Sequence, residues 1–365
     1  MPMMSVLCGR IIMMLVENMA ADFKPRTIRY YGGKAKLLDF ILHGMQQSGL
    51  RKGMKVLDGF TGSSVVAQRL KWEGCSTFAN DNLYFCYAIA DAHLSLDSIP
   101  TFSKLKLGVD VFSYLNDVTG ENGFITRNYS PFKDCKRMYF TTSNASKIDT
   151  IRRLIQEWKD NGLISNSEFN YLLACLIYAI NLISNVTGTY GAYLKFWEGR
   201  SQRTLKLIPI NVFPNSERNS ASNLDVRDVI KYPEFDFVYL DPPYNSRNYF
   251  SNYFLLEVIA QGWFEVQPEP EGLTGITNNI GVKSEFSSKR EVGAAFSKLI
   301  ADINCDLIAI SYNNEGLLAP NQLMDILTTV GKVTLWDMEH KRYRSINQDG
   351  SNSSTSEKLY VIRKK

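Results

Sequence analysis

The chain has 365 residues, of which 45% are hydrophobic and 21% charged, with 24 Gly and 12 Pro. These values exclude a disordered chain, a collagen, a coiled coil and the low-complexity classes, and the length suits two domains or one large α/β domain carrying an insertion. The net charge of +4 is too small to demand a nucleic-acid partner and compatible with one if the charge is clustered.

At the N-terminus, Val6–Val16 is apolar but broken by Arg10, too short to span a bilayer. Residues 1–22 are expected to be a dispensable extension, with the working protein starting near Asp22. Met54–Phe60 predicts a short buried strand. Thr61-Gly62-Ser63 follows as a turn, Ser64–Leu70 as a helix and Thr77–Asp81 as a second strand. This order opens an α/β doubly wound sheet. From about residue 95 the pattern changes. Ile148, Ile151, Leu154, Ile155 and Trp158 sit at helical spacing. Ser165–Glu168 matches a capping box opening a second helix that runs to about Ile183. Residues 96–215 are therefore expected to form a mostly helical insert between a first part, 23–95, and a second, 216–365. Asn215–Asn223 and Glu265–Ser288 look like loops. Phe235–Leu240, Asp306–Ser311 and Val333–Trp336 are further strands, and Lys358–Arg363 completes a closing hairpin.

Cys8, Cys75, Cys86, Cys135, Cys175 and Cys305 form no C-x-x-C pair, and the histidines are His43, His93 and His340. A zinc site and a His-centred hydrolase are both disfavoured, and no metal is expected. Scattered single cysteines fit a reducing compartment.

The sharpest signal is Asp241-Pro242-Pro243-Tyr244, directly after the Phe235–Leu240 strand. The exocyclic amine of a base is a poor nucleophile because its lone pair is delocalised into the ring. Two acceptors that bind both amino hydrogens favour the localised lone pair. The Asp241 carboxylate supplies one, and the backbone carbonyl of Pro242, whose φ the ring fixes, supplies the other. Tyr244 offers a flat face to a base that has left the stack. A packed Pro-rich turn is the plain alternative.

This strand and tetrad resemble motif IV of the N6-adenine DNA methyltransferases. The longer string Asp241–Glu257 resembles the D12 class, which includes the Dam methylases. The resemblance implies methyl transfer from S-adenosyl-L-methionine to N6 of adenine, on a Rossmann-like α/β methyltransferase sheet with an inserted, mostly helical target-recognition region. Asp58–Ser63 (DGFTGS) resembles motif I, whose loop wraps the methionine part of the cofactor, here through Asp58, Phe60 and Gly62. Asp81, at the end of the next strand, takes the position that meets the cofactor ribose. Tyr30-Tyr31-Gly32-Gly33-Lys34 resembles motif X, with Tyr30, Gly32, Gly33 and Lys34 in cofactor-contacting positions and Lys34 free to pair with the methionine carboxylate. Asp225, in competition with Asp228, is carried over from motif III as a residue near the cofactor adenine.

The loop after the second helix, with Asn185, Tyr190, Tyr193 and Lys195, is expected to face DNA. Arg200, Arg203, Arg247, Tyr249, Lys341 and Arg342 are further DNA-contact candidates. A C5-cytosine mechanism lacks its Pro-Cys nucleophile. N4-cytosine and RNA-directed N6-adenine methylation stay open, as does a non-catalytic DNA-binding protein. The expected partner is double-stranded DNA, recognised by a monomeric, cytoplasmic, prokaryotic modification enzyme paired with a restriction endonuclease and nucleoid-associated when on DNA. No membrane is involved.

Overall fold

The computed structural model describes residues 23–232, 235–244, 249–277, 284–314, 316–340 and 355–365. Its centre is a seven-stranded sheet in the order β3-β2-β1-β4-β7-β9-β8. The strands are β1 (Lys55–Asp58), β2 (Ser76–Asn80), β3 (Ser220–Ser222), β4 (Phe237–Leu240), β7 (Leu307–Asn313), β8 (Gly331–His340) and β9 (Thr355–Lys364). β3, β2, β1, β4 and β7 are parallel neighbours, whereas β9 runs antiparallel between β7 and β8.

Parallel strands with both faces covered lose alternation and become continuously apolar. β4 (FVYL) and β7 (LIAISYN) are buried at every position. Side chains still alternate between the two faces. Val56, Tyr239, Ala309 and Val361 join one core with helices α1 (Leu38–Gln47) and α2 (Val65–Trp72). Leu57, Val238, Ile308 and Ile362 join the other, under α10 (Val292–Asp302) and α11 (Pro320–Thr328).

The insert contributes α4 (Val111–Asp117), α5 (Phe124–Tyr129), α6 (Thr142–Asp160) and α7 (Asn166–Ile183). The capping box forms as the sequence predicts: the Ser165 amide donates to Glu168 Oε2 at 2.8 Å, and the Glu168 amide donates to Ser165 Oγ at 3.2 Å. These helices do not stand apart. Their apolar residues share one core with α3 (Tyr84–Leu94) and α9 (Tyr249–Gln261). Arg152 of α6, fully buried, donates from Nε to the Ile259 carbonyl at 2.8 Å and from Nη2 to the Ala260 carbonyl at 3.2 Å. It thereby caps the C-terminal end of α9, where carbonyls lack intrahelical partners and a cation is favoured.

Two segments expected to be loops contain strands. Residues 220–222 of the Ser- and Asn-rich stretch pair with β2 and form the sheet edge. Their small side chains carry no β-branched or alternating signal. In Glu265–Ser288, β5 (Pro270–Glu271) and β6 (Ile276–Thr277) make a two-stranded hairpin. Residues 96–215 thus run between α3 and β3, ahead of Asp225. The first helix begins at Leu38, after turns at residues 31–32 and 35–37.

Candidate active site

β1 pairs with β2 on one side and β4 on the other, so connections diverge between β1 and β4. Ligands of doubly wound sheets bind in the crevice at the carboxyl ends of such strands. A cleft of about 480 Å³ opens there, within the usual range of small-molecule sites of roughly 300–1,000 Å³. Tyr30, Gly32, Gly33, Lys34, Asp58, Phe60, Gly62, Asp81 and Asp241 all line it. Segments far apart in sequence therefore converge because three strand ends and one preceding turn meet.

The loop after β1 is shaped by close packing. Gly62 has φ +49°, and a Cβ there would lie 2.7 Å from the Tyr30 ring. Gly32 has φ +73°, and a Cβ there would meet the Tyr244 hydroxyl at 2.7 Å. Both positions need glycine for conformation and for space. Tyr30 in turn stacks on Tyr253 with centroids 4.8 Å apart.

Three aspartates face the cleft in different states of satisfaction. Asp58 Oδ2 accepts from Thr61 Oγ1 at 3.0 Å, while its buried Oδ1 has no hydrogen-bond partner. Burial, with Asp241 and Asp81 adding repulsion, pushes its carboxyl up to about 7. Asp81 accepts from the Gly62 amide at 2.9 Å and the Leu83 amide at 3.0 Å. Burial outweighs those bonds and raises it to about 6. Asp241 is likewise raised to about 6 by burial, although Lys34 pulls the other way.

Lys34 is not free for a ligand carboxylate. Its Nζ lies 2.9 Å from Asp241 Oδ1 and 3.0 Å from Glu357 Oε1, and donates to the Gly32 carbonyl at 3.2 Å. The Gly32 carbonyl accepts one donor of the ammonium, and the two carboxylates pair with its charge. Burial disfavours its charge, but the two carboxylates overcome that and hold it protonated well above the ordinary lysine range.

In the Asp241–Tyr244 turn, Pro243 lines the cleft, and the Leu317 amide ties the Tyr244 carbonyl at 2.7 Å. The expected open face of Tyr244 is absent. The ring is 7% exposed, lies against Tyr31 and Tyr312, and has Lys34 Nζ 5.3 Å from its centroid. A stacked base would have to displace one of these neighbours.

Asp225 does not line the cleft. Its carboxylate accepts from the Arg227 amide, as N-cap of α8 (Val226–Val229), and pairs with the Arg227 guanidinium at 2.6 Å. Asp228 pairs with Lys231. Asp225 thus caps a helix and Asp228 is taken up by a surface ion pair.

The DNA candidates divide. Asn185 is fully buried and donates from Nδ2 to the Leu194 and Phe196 carbonyls, while its Oδ1 accepts from the Glu198 amide. Tyr190 is fully buried, its hydroxyl 2.9 Å from Ser184 Oγ. Both organise the loop from within and have no surface to offer DNA. Tyr193 is half-buried against Tyr139. Arg200 pairs with Glu198 and the Val186 carbonyl. Lys195 and Arg203 are exposed. Tyr249 lines the cleft and packs on Tyr30 and Tyr31. Arg247, Lys341 and Arg342 lie outside the described residues, as does the 1–22 extension.

Sequence reasoning missed Glu357, Tyr239 and the Ser284–Glu291 wall of the cleft. A lone glutamate early in a C-terminal strand carries no local signal. Among the described residues no group of three or more His, Cys, Asp or Glu could hold a metal, and no helix is long and apolar enough to cross a membrane.

The family model described as D12 class N6 adenine-specific DNA methyltransferase matches residues 30–326. The chain is 39% identical over 345 residues to the type II methyltransferase M.FokI of Planomicrobium okeanokoites, covering 92% of this chain and 53% of that protein. It is 37% identical to modification methylase StsI of Streptococcus sanguinis, covering 93% and 52%. Against these two it spans about half of the relative's length. Against type II methyltransferase M.NlaIII of Neisseria lactamica it is 31% identical over 92% of this chain and 99% of the relative. With its motifs gathered at one cleft and this match across most of its length, the chain belongs to the D12 class N6 adenine-specific DNA methyltransferase family.

Proposed function

We propose that the protein transfers a methyl group from S-adenosyl-L-methionine to N6 of an adenine flipped out of double-stranded DNA, as the modification enzyme of a restriction-modification system. The observation that carries this reading is the Asp241–Tyr244 turn opening onto the same cleft as Asp58 and Asp81. The residues fit the cofactor. The unpartnered Asp58 Oδ1 suits its ammonium, Asp81 at the end of β2 suits a ribose diol, and Phe60 supplies an apolar wall. When bound, the cofactor supplies an electrophilic methyl on a sulfonium.

The chain's own contribution is position and charge. Asp241, raised only to about 6, is mostly ionised at neutral pH and accepts one amino hydrogen. The Pro242 carbonyl accepts the other. The target nitrogen has to lose a proton during transfer, and Asp241 is the carboxylate in reach. Lys195 and Arg203 stand as phosphate contacts, which set affinity rather than sequence choice. We read residues 96–215 as the target-recognition part, with 23–95 and 216–365 forming the catalytic part.

The test is methyl transfer from labelled cofactor to duplex DNA, with long-read modification mapping to give base and sequence context. Asp241→Ala should lower turnover by on the order of 10²–10³-fold or more while cofactor binding persists. Absence of N6-methyladenine with the wild-type protein, or full turnover by the variant, refutes the reading.

A further inference from the structure

Glu357 has no assigned role, yet it reaches the Asp241 turn from a strand two places away from β4. It lies on β9, opposite Asn313 of β7 and Met338 of β8. Its side chain is 9% exposed and its Oε1 lies 3.0 Å from Lys34 Nζ, the same ammonium that grips Asp241 Oδ1 at 2.9 Å. Lys34 is 3% exposed, so neither contact is a solvated surface pair. A flexible lysine with one carboxylate partner can rotate. Two carboxylates and the Gly32 carbonyl hold the ammonium from three sides. The pair with Asp241 uses Oδ1 and leaves Oδ2 outside it.

We infer that Glu357 is a positioning residue for methyl transfer: it anchors Lys34, and Lys34 sets the rotation of the Asp241 carboxylate so that Oδ2 meets the amine of the target base. This inference rests on the function proposed above. A buried lysine held by one carboxylate alone would still satisfy charge. The second carboxylate adds direction, and it adds negative charge beside Asp241. That surplus is otherwise hard to account for, because burying an extra ionised carboxylate is unfavourable unless it is paired.

The groups facing Asp241 and Lys34 are Glu357 from β9, Asp58 from β1, Tyr239 from β4, Tyr244 from the turn and Tyr249 from α9. Glu357 raises the proton affinity of Asp241 while Lys34 lowers it. Neutralising Glu357 therefore has a signature beyond lost activity.

The test uses the full chain with Glu357→Gln, which keeps shape and removes charge, and Glu357→Met as the second variant should glutamine not be accommodated. Expected are a kcat lower by about 10–100-fold, as for a small misplacement of a reacting group, and KM values for cofactor and DNA within about threefold. In parallel, a carboxyl-carbon NMR titration, with Asp241 assigned by Asp241→Asn, should show the Asp241 midpoint moving to lower pH. In a Lys34→Met background Glu357→Gln should cause no further loss of kcat. An unmoved Asp241 midpoint overturns the inference even if the wild-type protein methylates nothing. So does unchanged kcat, or a loss confined to cofactor KM or to thermal stability. If wild-type protein leaves DNA unmethylated but the midpoint moves, the proposed reaction fails while the Glu357–Lys34–Asp241 linkage stands.

Discussion

The cleft at the strand ends and the helical residues 96–215 are held together by different means. The cleft is made largely of strand-end turns, and many of its residues come from three short strings: Tyr30–Lys34, Asp58 with Phe60–Ser63, and Asp241 with Pro243. The insert is made of helices whose apolar faces fuse with α3 and α9, and its polar residues are used mainly on itself. Asn185 closes its own loop, and Asp149 accepts from the Gly123, Ile125 and Thr126 amides at the start of α5. A polar residue of the cleft lines an open space; a polar residue in residues 96–215 more often replaces a missing backbone partner.

Four substitutions test this contrast, the most damaging first. Lys34→Met leaves Asp241 and Glu357 buried without their cation, which should cost about 3–5 kcal/mol of stability. Without Lys34 the Asp241 carboxyl keeps its proton to higher pH. The deficit should therefore be largest in neutral and alkaline buffer and shrink as pH falls through about 6. Denaturant melts at pH 5 and 8 measure this, and a pH-independent loss would mean the cluster is not ionised as described.

Asp58→Asn should weaken cofactor binding by on the order of 10–100-fold, the worth of one charge-assisted hydrogen bond. Because burial raises Asp58 to about 7, a cationic ligand binds its ionised form. Wild-type affinity should then rise between about pH 6 and 8, and the variant's should be flat over that range. Calorimetry at several pH values would detect a failure of either trend.

The smallest effects separate fold from contact within the insert. Asn185→Ala should cost about 1–3 kcal/mol of stability by stranding backbone groups of its loop, with the salt dependence of DNA binding unchanged. Arg203→Ala, at an exposed position, should leave the melt alone and reduce the salt slope of DNA affinity by about 1. If the two outcomes were exchanged, the assignment of buried and exposed roles would be wrong.

The same contrast governs what could be read in advance. The sheet strands, the capping box at Ser165 and the three strings around the cleft are legible because each is local. Strands carry apolar runs, caps carry a fixed spacing, and turns carry glycine where a Cβ would clash. β3 escaped because Ser-Ala-Ser becomes a strand only through its neighbour β2. Asn185 and Tyr190 were misjudged because a Gly-aromatic-basic string has the same composition whether its side chains face out or in. Asp225 could not be separated from a helix cap, since an N-cap and an acidic ligand contact look alike until Arg227 is seen beside it. Glu357 was invisible for the opposite reason to Asp241: its meaning lies entirely in a partner far away in the sequence.

That separation has a practical consequence. Lys34 and Glu357 are 357 − 34 = 323 positions apart, so the closing contact of the centre is among the most non-local in the chain, and such contacts form only after a large loop-closure penalty is met. A fragment ending before β9 would carry every recognisable motif and still lack the group that completes the cluster. Dividing the gene between β8 and β9 should therefore yield two silent pieces whose methylation signal reports their reunion.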